Sequence, residues 1–154
     1  MQLVELKPDD PNVQDLFSEI DRLMNTLYPI ASDQSLALEE LNQPNVRAVG
    51  LKDESEIVAC GAIVKQFDKT LYGEIKRLYV KPSYRGKGLS KRIMQILLHY
   101  AGDAQIPLIR LETGVKQEES IKLYESLGFD RCERFGLYRD NPLSVFMSLS
   151  LKSE

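Results

Sequence analysis

The stretch Gly73–Ser90, reading G-E-I-K-R-L-Y-V-K-P-S-Y-R-G-K-G-L-S, decides how the rest of the chain is read. Its first half is rich in β-formers and predicts a strand. Pro82 ends the pairing, and the second half is a glycine-punctuated basic turn that opens into an apolar-periodic helix. A turn so placed presents unsatisfied backbone N–H groups and the positive end of a helix dipole to one spot, which suits a phosphate or pyrophosphate. Gly86 and Gly88 omit the side chains that would hold such a ligand away. The spacing is neither that of a Walker A loop nor the dinucleotide G-x-G-x-x-G.

Outward from this stretch, the chain predicts a mixed α and β order. Gln2–Leu6 reads as a first strand. Asp10 and Pro11 form a helix start, as N-cap and first helical residue, and Val13, Leu16, Phe17, Ile20, Leu23, Met24 and Leu27 recur at helical spacing. Tyr28-Pro29 ends that helix, and Ser32–Leu41 reads as a short second one. Val46–Leu51, Ile57–Phe67 and Leu71–Val80, joined by short polar turns, predict an antiparallel meander. A helix follows from about Gly88 to Ala101, with Leu89, Ile93, Ile96, Leu97 and Tyr100 on its buried face. The next strand is Leu108–Thr113. Strand, helix and strand at this spacing make a right-handed βαβ crossover, whose ligands sit beyond the strands' carboxyl ends. Glu118–Leu127 predicts another helix, stopped by Gly128, and Phe129–Phe135 and Ser144–Leu151 predict the last strands.

Composition frames this as one domain over residues 1–154. The chain is 43% hydrophobic and 28% charged, with a net charge of −3 and a pI near 5.3. Acidity argues against a nucleic-acid partner, and no apolar run reaches the roughly 18 residues of a membrane span. The first residues lack a signal peptide's pattern, so a cytoplasmic protein is expected. Cys60 and Cys132 stand far apart and read as core fillers rather than a disulfide or zinc site. The single histidine, His99, reads as a surface residue and removes His-dependent triads and metal clusters, so no metal is expected.

Arg85-Gly86-Lys87-Gly88-Leu89-Ser90 resembles the coenzyme A pyrophosphate loop of the GNAT (GCN5-related N-acetyltransferase) superfamily, Gln/Arg-x-x-Gly-x-Gly/Ala. Arg85 and Gly88 match, and Ser90 departs at the last position. Ser120–Phe129 resembles that superfamily's A-x-x-L/F-Y-x-x-x-G-F segment through Tyr124, Gly128 and Phe129, while Gln117 stands where an asparagine is usual. The resemblance implies an α+β (mixed α/β) fold: the meander, then the βαβ crossover with a splayed parallel pair, and helices on both faces. It implies acetyl-CoA as cosubstrate, held by Leu78, Tyr79, Val80, Arg85, Gly86, Lys87, Gly88, Leu89, Ser90, Gln117 and Tyr124. Direct transfer to the primary amine of a small-molecule or amino-acid-like acceptor is the implied activity. A non-catalytic acyl-CoA-binding regulatory module and a protein N-acetyltransferase are the alternatives. Dimers are common in the superfamily, so a homodimer is compatible with the reading.

Acetyl transfer needs a neutral amine, yet an alkylammonium has a pKa of about 10.4, so a base must take its proton. The offset from Arg85 singles out Glu74 for this role by likeness to the superfamily's histone acetyltransferases, with Glu112 in reserve. Alternatively, Glu74 is a solvent-facing strand residue or the partner of Lys76 or Arg110. Tyr124 is the implied proton donor to the departing thiolate, and a backbone N–H near Tyr79 or Val80 the implied oxyanion donor. Leu27, Tyr28, Arg77 and Glu112 are the candidates for the acceptor side.

Overall fold

In a computed structural model that describes residues 1–28 and 35–151, helix α1 (Pro11–Leu27) starts as the sequence predicts. The Asp10 side chain accepts from the Asn12 N–H at 2.9 Å and Pro11 occupies the first turn. The strands are β1 (Gln2–Glu5), β2 (Val46–Asp53), β3 (Glu56–Asp68), β4 (Thr70–Val80), β5 (Leu108–Gly114), β6 (Asp130–Arg131) and β7 (Ser144–Ser150). They form one mixed sheet in the order β1-β2-β3-β4-β5-β7-β6. The first four make the antiparallel meander, and β4 and β5 are parallel. Helices α2 (Leu89–Asp103) and α3 (Glu118–Ser126) complete the fold.

Alternation along the strands divides the core in two. Val49, Leu51, Ile63, Ile75, Ile109 and Leu111 point to one face, where they meet Ile93, Met94 and Leu97 of α2 and Ile121 and Tyr124 of α3. Ala48, Ile57, Cys60, Ala62 and Tyr79 point to the other, against Val13, Leu16, Phe17 and Ile20 of α1. Gly61 sets how closely α2 can lie on the sheet. A Cβ built there would stand 2.6 Å from Ile93 Cγ2. The Gly61→Ala variant is therefore expected to lose about 1–3 kcal/mol of stability through overpacking, read as a shifted denaturant midpoint with an unchanged slope.

Four expectations are corrected. Within the described residues the segment predicted as a helix over 32–41 holds only a 3₁₀ turn, Leu38–Asn42, closed by the Ala37 N–H on Glu40; Ser32–Gln34 lie outside the described residues. Five polar-rich residues ahead of Pro44 are too few to propagate an α-helix. The strand predicted over 129–135 pairs only at Asp130–Arg131, because the chain then turns to bury Phe135 against Tyr72, Tyr138 and Phe146. On α2, Met94 and Ala101 are buried and Tyr100 is not: it is 36% exposed, its ring under the Arg47 guanidinium at 5.6 Å. Cys60 is a core residue as expected, whereas Cys132 is only half-buried. His99 lies on the surface, 3.3 Å from Asp103.

Candidate active site

The parallel pair at the sheet's centre is short. β4 and β5 share three rungs, Gly73–Ile109, Glu74–Arg110 and Ile75–Leu111, and then diverge, although β4 runs on to Val80 and β5 to Gly114. A bulge drives the divergence. Cys60 pairs with Tyr79 and Ala62 with Lys76, so Arg77 and Leu78 together oppose Gly61. Arg77 takes the left-handed conformation at φ 60°, uncommon for a residue with a side chain. Its guanidinium holds it there, donating to the Leu36 carbonyl at 2.9 Å, pairing with Asp21 at 2.6 Å and stacking 4.4 Å over the Phe17 ring. Past Ile75 the β5-facing edge of β4 has no strand partner, which leaves backbone polar groups there for a ligand.

A cleft of about 1090 Å³ fills this opening. At one end lies the glycine loop. After a 3₁₀ turn over Pro82–Tyr84, Gly86 and Gly88 take φ of 76° and 77°, and no atom of the described residues lies within 4 Å of where either Cβ would be. Gly88 is the N-cap of α2 and no side chain among the described residues caps the helix, so its first-turn N–H groups stay available. Bare donors, a helix dipole and glycine-cleared space together fit a pyrophosphate. Arg85 anchors the loop through its Nε to the Val80 carbonyl at 3.1 Å.

Of the residues predicted to hold the coenzyme, Leu78, Tyr79, Val80, Arg85, Gly86, Gly88, Leu89, Ser90, Gln117 and Tyr124 line the cleft. Lys87 is placed differently, exposed and 5.2 Å over the Tyr84 ring. Leu27, Tyr28, Arg77 and Glu112 line it as well. The Tyr79 hydroxyl donates to Glu19 of α1 at 2.6 Å, and burial with this carboxylate pushes its pKa up to about 12.

The two carboxylates considered as bases lie on the α1 face, on neighbouring strands, in different settings. Glu74 is 2% exposed. It accepts from Tyr138 at 2.5 Å and Gln66 at 3.3 Å and pairs with Lys76 at 3.6 Å, so of the two predicted alternatives Lys76, not Arg110, is its partner. Lys76 and Tyr138 line the cleft in front of it, and Glu74 itself is not among the described lining residues. Glu112 does line it, accepting from the Ser144 hydroxyl at 2.7 Å. Burial raises both pKa values; Lys76 and the hydrogen bonds pull Glu74 back, Ser144 pulls Glu112 back, and Glu74 raises Glu112 further. Arg110 is turned away into aromatic company, 4.8 Å over Tyr72 and 5.4 Å over Phe135. Tyr124 is 5% exposed, and burial with the Glu112 charge holds its phenol well above the usual range.

Opposite the shared rungs, a clasp spans the opening. The Lys116 N–H donates to the Tyr28 hydroxyl at 3.2 Å, the Lys116 ammonium to the Leu27 carbonyl at 3.0 Å, and the Tyr28 hydroxyl lies 3.4 Å from Gln117 Oε1. Gln117 Oε1 also accepts from the Gly114 N–H at 3.1 Å. Tyr28 can sit here only because residue 114 is glycine: a Cβ there would fall 1.6 Å from the Tyr28 hydroxyl and displace it. The clasp, and the contributions of Lys76, Tyr138, Asn141, Leu143 and Ser144 to the cleft, were absent from the predicted site. Tyr138 and its neighbours belong to a loop whose sequence carries no motif, and only the fold brings them here.

The comparisons agree with this geometry. A model of the Acetyltransferase (GNAT) family matches residues 13–129. The chain is 37% identical over 139 residues to the IAA acetyltransferase of Azospirillum brasilense, covering 90% of each. It is 35% identical over 153 residues to the uncharacterized N-acetyltransferase YsnE of Bacillus subtilis, covering 96% of this chain and 100% of that protein. A solved chain from Klebsiella pneumoniae, provisionally assigned to the acyl-CoA N-acyltransferases, superposes with a TM-score of 0.79 at 30% identity over 98% of this chain and 97% of that one. A family match over most of the chain, relatives alike along nearly their whole length, and a splayed strand pair beside a glycine loop establish that this chain belongs to the GNAT acetyltransferase family and is an N-acetyltransferase.

Proposed function

We propose that the protein moves an acetyl group from acetyl-CoA to the primary amine of a small molecule, with both substrates bound at once. One observation carries this reading: a single cleft runs from the bare α2 N-terminus, past the free edge of β4, to the half-buried carboxylate of Glu112. The coenzyme would supply an activated acyl thioester. Gly86, Gly88 and the first turn of α2 would hold its pyrophosphate, and Leu78, Tyr79, Val80 and Gln117 would flank its arm.

The chain's own groups do the proton work. Glu112, facing the cleft with a raised pKa, takes the ammonium proton from the acceptor. Glu74 acts from behind, through the hydroxyl that Tyr138 donates to it, as a store of negative charge for this end of the site. Tyr124 keeps its proton at neutral pH and so has one to give where a thiolate leaves.

Calorimetric titration of the intact protein with acetyl-CoA, paired with detection of free thiol on adding amines, tests the reading. Saturable binding and amine-dependent thiol release are expected. Binding without release to any amine would favour a regulatory acyl-CoA module, and absence of binding at millimolar ligand would overturn both.

A further inference from the structure

Helix α1 carries an apolar stripe that runs from the core out into the cleft. Val13, Leu16, Phe17 and Ile20 are buried against the sheet, whereas Leu23, Met24 and Leu27, further along the same stripe, are half-buried and line the cleft. Among the described residues, the core covers this outer part of the stripe only in part, which leaves an apolar wall on the cleft.

Charge around this wall limits what that is. Burial raises the pKa of the Tyr28 phenol at the helix's end and the Glu112 charge adds to it, and both residues line the cleft, so a carboxylate stands at the far side of the wall. The cations beside it are engaged: Arg77 by Asp21 at 2.6 Å, Lys76 by Glu74 at 3.6 Å, and Lys116, at the rim, by the Leu27 carbonyl at 3.0 Å. An acceptor carboxylate would have to share one of them with the partner it already has. A polycation would meet Glu112 and an Asp21 already paired with Arg77; the cleft's other carboxylates, Glu118 and Glu119, stand exposed in the first turn of α3 and not on this wall. The wall ends at the clasp, which blocks the path a longer peptide would take beyond it.

We propose that the acceptor is a primary amine on an uncharged apolar body, aromatic or branched alkyl, which packs on Leu23, Met24 and Leu27 with its amine at Glu112. It is neither an amino acid nor a polyamine. This rests on the acetyl-transfer reading above.

The test compares kcat/KM of the intact protein, at saturating acetyl-CoA, for 2-phenylethylamine, phenylalanine, spermidine and a tripeptide with a free N-terminus. The first is expected to exceed each of the others about tenfold or more, the scale on which an apolar pocket discriminates. Met24→Ala is expected to cost about tenfold in kcat/KM for 2-phenylethylamine, chiefly through KM, with acetyl-CoA affinity unchanged by calorimetry. Leu23→Ala provides the same readout if the first variant fails to fold. Equal or better use of phenylalanine, spermidine or the tripeptide overturns the proposal, as does an unchanged KM in the folded variants. If acetyl-CoA binds and none of the four is acetylated, the proposal falls while the coenzyme site stands; if acetyl-CoA does not bind, the functional reading beneath it falls.

Discussion

Replacing Glu112 by glutamine is expected to lower kcat by about 10²–10⁴-fold, the range for removing a positioned general base. The substitution suits the question because glutamine Oε1 can still accept from the Ser144 hydroxyl, so the local structure survives. The pH profile separates catalysis from structure. A base works only when deprotonated, so wild-type activity is expected to fall as pH drops through Glu112's raised pKa, and that limb should vanish in the variant. Stability should move the other way. A carboxyl whose folded pKa lies above its unfolded value binds protons more tightly when folded, so it favours folding fully below the unfolded pKa and loses that advantage as pH rises through the folded one. Removing the charge is therefore expected to leave the protein as stable as wild type, or more so, near neutrality. Glu74→Gln should cost kcat less, because Tyr138 and Lys76 stand between Glu74 and the cleft. The reverse ranking, a mild Glu112 variant and an inactive Glu74 variant, would assign the base to Glu74 acting through the Tyr138 hydroxyl.

The second large effect is expected at the glycine loop. Gly88 has φ 77°, where a β-branched residue is a genuine outlier and left-handed backbone costs about 1–2 kcal/mol. The space around its missing Cβ is empty, so the protein can accommodate valine there at the cost of that strain alone. A ligand on the helix N-terminus cannot, because the new methyl groups would occupy the approach to the donors. Gly88→Val is expected to weaken acetyl-CoA binding by tenfold or more on the scale of one lost charge-assisted contact, roughly 1.5–3 kcal/mol. Melting temperature should fall by only about 2–4 °C per kcal/mol of strain. Unchanged coenzyme affinity in a folded variant would move the pyrophosphate elsewhere.

What could be read in the chain was what local chemistry writes there. The glycine loop declares itself because φ above zero and an uncapped helix start are properties of consecutive residues. Asp10-Pro11 declares the start of α1 for the same reason, and the crossover follows from strand and helix lengths. The sequence was silent where the deciding partner is distant. Strand alternation places Glu74 on a face, but Tyr138, 64 residues later, takes it out of contact with the cleft. The end at Tyr28 was visible, yet its engagement with Lys116, 88 residues away, was not. The predicted strand after Phe129 stops short because Phe135 serves an aromatic cluster instead of a ladder. Tyr100 failed because helical spacing gives an angle around α2, not the width of sheet beneath it.

The clasp has a topological consequence. With Ile75 and Leu111 joined at one end of the opening, Tyr28 seated on Gly114 at the other, and Arg77 fixing α1 to β4, the cleft is rimmed all round by contacts. It is an eyelet rather than a groove. A molecule reaching from the α2 face to the α1 face is threaded through it and cannot be lifted out sideways while the Tyr28 contacts hold. In the proposed reaction each end would have its own way out: the product toward the α1 side, and the spent carrier backward toward the glycine loop.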